Sequence, residues 1–323
     1  MNNPLLEQYK PRSFCADLME IKGNGLQLGL YMSLILGFKP LLDDWIRKNR
    51  IEAFKKACRR YGIHVRESVI FRNVHKNDVP DSVIGKDRLT TTSAYGLPLE
   101  TDTDEEVHVF LAKDKKTLKR AMWYPVIINN RVIFAPRADH LKYGYVLGYP
   151  DCCIRFFRQY NDWIRYSHLY EAWRHTRTRP SFLCNPLLKD TIFSYIYHMP
   201  CRYDCPATIK LAGRLRREIF KKEPEYVRKM DAYLKQTFLV FYERKFYALA
   251  GAAMKDNIVS YKHAAFVSHD ATRNEYGRDL ERADALKLHG RQLTLLRRGK
   301  ILKNISVPLN VFAPEHPFLV TFQ

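Results

Sequence analysis

Seven cysteines occur in the chain, and four of them fall in two short motifs with the chemistry of a metal site. The first motif places Cys152 and Cys153 side by side, and the second places Cys201 and Cys205 four positions apart. Cysteine thiolates are the ligands of structural zinc and of iron–sulfur clusters. His198, three residues before the second motif, is an additional candidate ligand or catalytic proton carrier. The sequence therefore predicts one metal centre built from both motifs.

The adjacent pair of cysteines bears on which kind of centre this is. Neighbouring side chains on a backbone diverge, so Cys152 and Cys153 are expected to be poor ligands for one tetrahedral ion. The irons of a cluster lie at separate corners, and adjacent cysteines can each ligate a different iron. Four cysteines also match the usual ligand count of a [4Fe–4S] cluster. We therefore expect a [4Fe–4S] cluster, with zinc as the alternative.

A metal-free interpretation also stays open for these cysteines. Cys152 or Cys153 would then be a thiolate nucleophile, with His198 as its base. Free cysteine is also a small apolar residue that is often buried. Simple burial is the expectation for the cysteines outside the two motifs, which are Cys15, Cys58 and Cys184.

The charge of the chain indicates a polyanionic partner. The 54 Lys and Arg residues exceed the 34 Asp and Glu residues, and the formal net charge is +20. Nucleic acid is the first candidate for such a partner; charge alone does not separate RNA from DNA, and the arginine- and aromatic-rich stretch after the first motif favours RNA. Aromatic residues interleaved with arginine after the first motif could stack on bases, although aromatics at helical spacing more often form a core. The predicted nucleic-acid contacts are Arg155, Arg158, Arg214, Arg216 and Arg217.

The two cysteine motifs also carry a resemblance. GYPDCCIRFF and HMPCRYDCPATIKLA resemble the GYPxCCxxFF and HxPCxxxCxxS/A motifs of an uncharacterised archaeal and bacterial protein family. The resemblance covers roughly residues 140–215, with a weaker echo in GLQLGLYMSLILGFKP. The family has no assigned activity, so the resemblance implies that the four cysteines and His198 form one site, and it implies no reaction.

Helix signals around the motifs predict how they are held. Pro150 and Asp151 favour a helix N-terminus, which would place the adjacent cysteines in a first turn, where free N–H groups stabilise thiolates. The spacing of Cys201 and Cys205 predicts two ligands one helical turn apart on the same face.

The remaining patterns predict an α+β fold: a helical cysteine-bearing core with an N-terminal α/β region and a C-terminal antiparallel β unit. The corresponding regions are residues 1–140, 141–235 and 236–323. Apolar spacing over residues 25–61 predicts two packed helices separated at Lys39-Pro40. VHVFLA predicts a strand, and Arg298-Gly299-Lys300 predicts a hairpin turn.

Several functional classes follow from these features. The chain has no apolar run that suits a signal peptide or a membrane helix, so the sequence predicts a cytoplasmic protein that does not use a membrane. The leading hypothesis is an iron–sulfur protein acting on nucleic acid, with tRNA modification as an example. The alternatives are a non-catalytic nucleic-acid-binding protein with structural zinc or a structural cluster, and the metal-free thiol enzyme. The residues leave open whether the protein is an enzyme and what its oligomeric state is.

Overall fold

The predicted α+β fold is confirmed by the computed structural model, which combines helices with antiparallel sheets. The residues that the structure describes are 15–22, 27–73, 96–97, 105–121, 126–128, 131–134, 140–160, 166–189, 194–242, 245–267, 274–308 and 316–323. The helices are α1 Ala16–Lys22, α2 Leu28–Ile35, α3 Ile51–Arg60, α4 Lys115–Lys119, α5 His140–Val146, α6 Asp151–Gln159, α7 His168–Arg174, α8 Pro206–Lys222, α9 Pro224–Leu234 and α10 Gly277–Arg282. Two 3-10 turns cover Lys48–Arg50 and Phe182–Cys184.

The strands divide into those before and those after the cysteine motifs. The earlier strands are β1 Leu41–Arg47, β2 His64–Asn73, β3 Gly96–Leu97, β4 Glu105–Ala112, β5 Val126–Ile128 and β6 Arg131–Phe134. The later strands are β7 Thr237–Tyr242, β8 Lys245–Ala250, β9 Ala253–Lys255, β10 Ile258–Ser260, β11 His263–Phe266, β12 Ala285–His289, β13 Gln292–Arg297, β14 Lys300–Ser306 and β15 Phe318–Thr321.

The chain divides into two compact units, one ending at Ile154 and the other beginning at Arg155. The three predicted regions, with boundaries at residues 140 and 235, stay a prediction. In the first unit, β1, β4, β2 and β3 form an antiparallel sheet in that order. Strand β4 contains the predicted VHVFLA segment. No helix among the residues that the structure describes has both the length and the apolar character needed to cross a membrane.

The predicted second helix of residues 25–61 is wrong over its first part. Residues Leu41–Arg47 form strand β1, and only Ile51–Arg60 is helical. Leu41, Leu42 and Ile46 are buried, and β1 pairs along its whole length with β4. Pairing with a buried neighbouring strand outweighs the helical spacing of these residues.

The core of the first unit includes the segment that leads to the first cysteine motif. Tyr143, Val146 and Leu147, in and just after α5, pack with Leu41 and Phe110 of the sheet. These contacts bury the apolar face of a short helix that would not be stable alone. They fix the end of α5 just before α6 begins.

The second unit contains the predicted C-terminal β structure. Strands β14, β13, β12, β10 and β9 form one antiparallel sheet, and β11, β8, β7 and β15 form another. Leu239, Tyr247, Leu286 and Leu293 belong to one buried core cluster drawn from both sheets. The predicted turn at residues 298–300 is confirmed: Arg298 and Gly299 both have positive φ and join β13 to β14, as a two-residue hairpin of the type I′ class requires.

Helices α8 and α9 also belong to the second unit and are joined by the single residue Glu223. Arg216 on α8 donates through Nε to both carboxylate oxygens of Asp231 on α9, at 3.0 Å each. The Tyr195 hydroxyl donates to the same carboxylate at 2.7 Å. This network fixes the rotation of α8 about its axis.

Candidate metal centre

The first cysteine motif lies where α5 ends and α6 begins. Helix α5 ends in a Schellman motif, in which Tyr149 N–H donates to the Gly144 carbonyl and Gly148 N–H donates to the Tyr145 carbonyl, both at 3.0 Å. Gly148 has φ +76°, the left-handed conformation that this motif needs. Helix α6 then begins at Asp151, so the predicted helix start is confirmed and both cysteines lie in its first turn.

Gly148 is required for a second reason, which is close contact with the earlier GFKP segment. A Cβ on Gly148 would lie 2.5 Å from Cδ of Pro40. Non-bonded carbons do not approach one another that closely, so the glycine allows Pro40 to pack against the turn before the cysteines. The N-terminal echo of the motif is therefore in contact with the turn that positions Cys152 and Cys153.

Replacing Gly148 with alanine is expected to lower the free energy of unfolding by about 2 kcal/mol, since left-handed φ and steric overlap both carry a cost. Gly62→Ala is the matched control, because Gly62 also follows a helix at positive φ, +68°, but has no atom within 4 Å of the position that a Cβ would take. We expect the control to lose about 1 kcal/mol, the cost of the backbone alone. Equal losses in urea unfolding of the two variants would contradict a role for the Pro40 contact.

Lys39 lies beside the same turn and is buried. Its ammonium donates to the Leu147 carbonyl at 3.1 Å and lies 4.3 Å from the centre of the Tyr149 ring. Burial lowers the pKa of Lys39 to about 7, although the charge of Asp43 opposes the shift. Lys39 therefore helps to fix the end of α5, a role that the sequence pattern did not predict.

The second motif does not have the predicted helical geometry. Cys201 to Cys205 form a turn, here called the CRYDC loop, and Cys205 is the residue just before α8. The Cys205 N–H donates to the Arg202 carbonyl at 3.2 Å, which is a tight turn. The prediction of two ligands one helical turn apart is wrong because Pro206 favours the first helical position, so the helix begins after the motif.

The buried side chain of Asp204 stabilises the CRYDC loop. Its Oδ2 accepts hydrogen bonds from the Arg177 amide at 3.2 Å, the Thr178 amide at 3.0 Å and the Thr178 hydroxyl at 2.9 Å. Burial raises the pKa of Asp204, but the hydrogen bonds from Thr178 and Arg177 outweigh it and hold the pKa below its usual value. The carboxylate is therefore ionised when the loop is folded.

Tyr203 connects the loop to two other segments. Its amide donates to the Thr176 hydroxyl at 2.9 Å, and its own hydroxyl donates to the Leu169 carbonyl at 2.8 Å. Its carbonyl accepts from Ser181 N–H at 2.8 Å. The backbone of residues 180–182 then pairs with Gln323 through hydrogen bonds of 3.0 and 3.1 Å. The CRYDC loop is thus supported by backbone contacts distant in sequence.

The structure brings the four predicted cysteines together. The Sγ atoms of Cys152, Cys153, Cys201 and Cys205 all lie within 4.8 Å of one another, a grouping that could hold a metal. The adjacent pair does not diverge as expected, because its Sγ atoms are 3.9 Å apart. Cys153 and Cys205 are buried, Cys201 is partly buried and Cys152 is exposed. Four soft thiolate donors suit zinc or an iron–sulfur cluster.

His198 is close to the loop in sequence but is not a member of this group of four. It is 5% exposed, and its Nε2 lies 2.9 Å from the Thr208 hydroxyl in the first turn of α8. Through that hydrogen bond, the His198 imidazole stabilises the first turn of α8. The prediction that His198 moves a proton stays a prediction.

The five predicted nucleic-acid arginines fall into two structural groups. Arg155 and Arg158 are exposed on α6, and Arg214 and Arg217 are exposed on α8. Arg216 is different because its guanidinium is held by Asp231. Their contact with nucleic acid stays a prediction.

The interleaved aromatic residues pack mainly on one another. Phe156 lies 4.8 Å from Tyr160, and Trp173 stacks on Phe318 at 5.0 Å between ring centres. Phe156 is buried. Tyr160, Tyr166, Tyr170 and Trp173 are partly exposed, so the core interpretation holds for Phe156, and base stacking by the others stays a prediction. Trp163 and Arg165, part of the same stretch, lie outside the described residues.

No protein-family model, curated protein or solved structure matches this chain. The resemblance of the two motifs to an archaeal and bacterial family therefore stays a prediction.

Some residues that shape the site are not evident from the sequence. Thr208 and Asp204 lie within the quoted second motif, but hydrogen-bonding roles cannot be assigned from spacing alone. The contact between Pro40 and Gly148 joins two segments more than a hundred residues apart. The weaker N-terminal resemblance includes Lys39 and Pro40, and it is the sequence signal that could have indicated this contact.

Proposed function

We propose that this chain is a nucleic-acid-binding metalloprotein whose four clustered cysteines hold one tetrahedral metal ion, with zinc as the first candidate. The observation that carries the proposal is the separation of the four Sγ atoms, all within 4.8 Å of one another. Zinc–sulfur bonds of about 2.3 Å at tetrahedral angles give sulfur–sulfur distances of about 3.8 Å. The 3.9 Å between the Sγ atoms of Cys152 and Cys153 agrees with that value.

A [4Fe–4S] cluster, as in an RNA-modifying enzyme, is the second candidate. Each cysteine of a cluster binds a different iron, so the iron–sulfide core separates the ligand sulfurs more widely than one ion does. The exposure of Cys152 favours the cluster, because an exposed corner is accessible to a substrate or an electron donor. The compact sulfur group favours the single ion, and we therefore place zinc first.

The donor set also bears on the role of the centre. Four protein thiolates complete the tetrahedral coordination of zinc and leave no open position, which is the property of structural rather than catalytic zinc sites. Cys205 immediately precedes α8, so an ion held there would fix the start of that helix. This supports the non-catalytic alternative of a binding protein with a structural metal.

The nucleic-acid half of the proposal is supported by charge. An excess of 20 positive charges favours association with a polyanion, and RNA or DNA phosphates are the commonest such partner. The exposed arginines on α6 and α8 place part of this charge on helices that adjoin the cysteine motifs.

The metal and acid-labile sulfide content of anaerobically purified protein tests the proposal. One zinc per chain with no sulfide is the expected result, and cobalt substitution should then give the visible absorption of tetrahedral thiolate coordination. Equal amounts of iron and sulfide in a brown protein would identify the centre as an iron–sulfur cluster and contradict zinc. A metal-free protein with a rapidly alkylated Cys152 would overturn both and support the thiol enzyme.

A further inference from the structure

We infer that the outward face of α8 is a docking surface for single-stranded RNA, formed by four cations in one row and an exposed aromatic ring beside it. This inference rests on the proposed nucleic-acid function and names the surface and the form of nucleic acid that it fits. The row, here called the α8 stripe, comprises Lys210, Arg214, Arg217 and Lys221, all of which are exposed.

The packing of α8 explains why these cations share one face. Its buried residues occur at intervals of four, three and four, which is the repeat of one side of a helix. The four cations of the stripe have the same intervals as the four buried residues, and each cation lies two positions after a buried residue. Two positions correspond to a rotation of about 200° around the helix axis. The stripe therefore lies opposite the buried face. The buried residues are Thr208, Ala212, Leu215 and Ile219.

The contacts of α8 with its neighbours keep this face outward. Arg216 binds Asp231 on α9, and Leu215 is buried, so α8 cannot rotate without breaking an ion pair and exposing apolar surface. From its first cation to its last, the stripe extends over about 16 Å of helix. Lys221 also donates to Glu218 at 2.7 Å, an exposed pair that contributes little and can exchange for a phosphate.

An aromatic side chain flanks the stripe. Phe220 is 42% exposed, one of the few large apolar residues that the described part of the chain leaves in solvent. It lies three positions after Arg217, on the adjacent side of the helix. Gly213 lies near Arg217, because a Cβ added at Gly213 would be 3.9 Å from a guanidinium nitrogen, an ordinary van der Waals distance. The ring and the cations of the stripe are thus neighbours on the exposed part of α8.

Cations in a row with an exposed ring are the combination that binds single strands. The cations follow the phosphates, and the ring stacks on an unpaired base, which a paired base within a duplex does not allow. Sequence-independent contacts of this type are sensitive to salt, since each neutralised phosphate releases counterions. Loss of the stripe's cations should therefore make the affinity for RNA depend less steeply on salt concentration.

Binding of a labelled oligouridylate to the metal-loaded full chain tests the inference. The stripe variant combines Lys210→Gln, Arg214→Gln and Arg217→Gln, which keep helix propensity. RNA binding is titrated between about 0.05 and 0.3 M salt. Each lost phosphate contact contributes about 0.7 to the slope of log K against log salt, so the slope should fall by about 2. The affinity near 0.1 M salt should fall about 100-fold. The matched control changes Lys255, Lys287 and Lys300, which are exposed on strands, to glutamine.

The control removes the same charge and should keep the wild-type slope. An unchanged slope in the stripe variant, with wild-type binding intact, would overturn the docking surface and leave the proposed function standing. Absence of binding by the wild-type chain would overturn the proposed nucleic-acid function itself. Binding to anionic phospholipid vesicles but not to RNA would overturn both in favour of a membrane surface.

The aromatic part of the surface has a separate test. Phe220→Ala should weaken oligouridylate binding about tenfold without changing the salt slope, because stacking involves no counterion release. Ile301→Ala is the control, since Ile301 is also highly exposed but lies on β14. The Phe220 variant should leave binding to a duplex of equal length unchanged. Equal weakening for duplex and single strand would contradict stacking on an unpaired base.

Discussion

Cys205→Ser is expected to abolish binding of the proposed metal and with it a large part of the stability of the loop that precedes α8. Cys205 is buried and is one of the four grouped thiols, and serine is a much poorer ligand for a soft metal. Metal binding and folding are coupled at such sites, so the loss is about 4 kcal/mol when free metal exceeds its Kd a thousandfold. Metal content after dialysis against a chelator, and urea unfolding with and without metal, measure the effect.

Cys184→Ser is the matched control for that variant. Cys184 is also buried and lies next to the site, with its thiol donating to the Cys205 carbonyl at 3.6 Å, but it is not one of the grouped thiols. We expect the Cys184 variant to keep the metal and most of the stability. Retention of one metal per chain by Cys205→Ser would remove Cys205 from the ligand set.

Acidification is expected to destabilise the second unit through His168. This histidine begins α7, is buried, and stacks on Phe157 with 4.8 Å between ring centres. Burial lowers its pKa to about 4, whereas an unfolded histidine has a pKa of about 6.5. The unfolded state therefore takes up the proton first, and the stabilisation present above pH 6.5 is lost as pH falls towards 4. The full loss is about 3 kcal/mol.

The histidine contribution can be separated from that of other acidic groups by substitution. His168→Phe keeps an aromatic ring on Phe157 and removes the titration, so its free energy of unfolding should vary less between pH 7 and 4. His175→Gln is the control for the removal of an imidazole, because His175 lies in the same unit but is about half exposed. A wild-type pH profile in the His168 variant would assign the acid sensitivity to other groups.

Local signals predicted the parts of the fold that depend on neighbouring residues. Asp151 begins α6 as the proline and acidic residue indicated. The turn at Arg298 and Gly299 forms because positive φ at both positions matches the twist of a two-residue hairpin. The four clustered cysteines were also identified from motif spacing alone, and the structure groups all four.

The errors arose where distant residues decide the local conformation. Leu41 to Ile46 have a spacing that suits a helix, but β4 pairs with them along their length. In the CRYDC loop, Pro206 starts α8 after the motif, and hydrogen bonds from Thr178 and Arg177 to Asp204 stabilise the turn before it. The expected divergence of Cys152 and Cys153 also failed, since their two Sγ atoms are 3.9 Å apart. The strand partner of residues 41–47 and the donors to Asp204 lie outside any short window of sequence.

The pairing of residues 180–182 with Gln323 sets an order of events during synthesis. The CRYDC loop is supported by Ser181 through the Tyr203 carbonyl, and the backbone that pairs with residues 180–182 is made only after β15. When Cys201 and Cys205 emerge from the ribosome, the segment that pairs with residues 180–182 has therefore not yet folded against them. Contacts between residues so far apart in sequence form late in folding. Loading of the proposed metal is expected to follow translation of β15, and a nascent chain stalled before β15 should bind little metal.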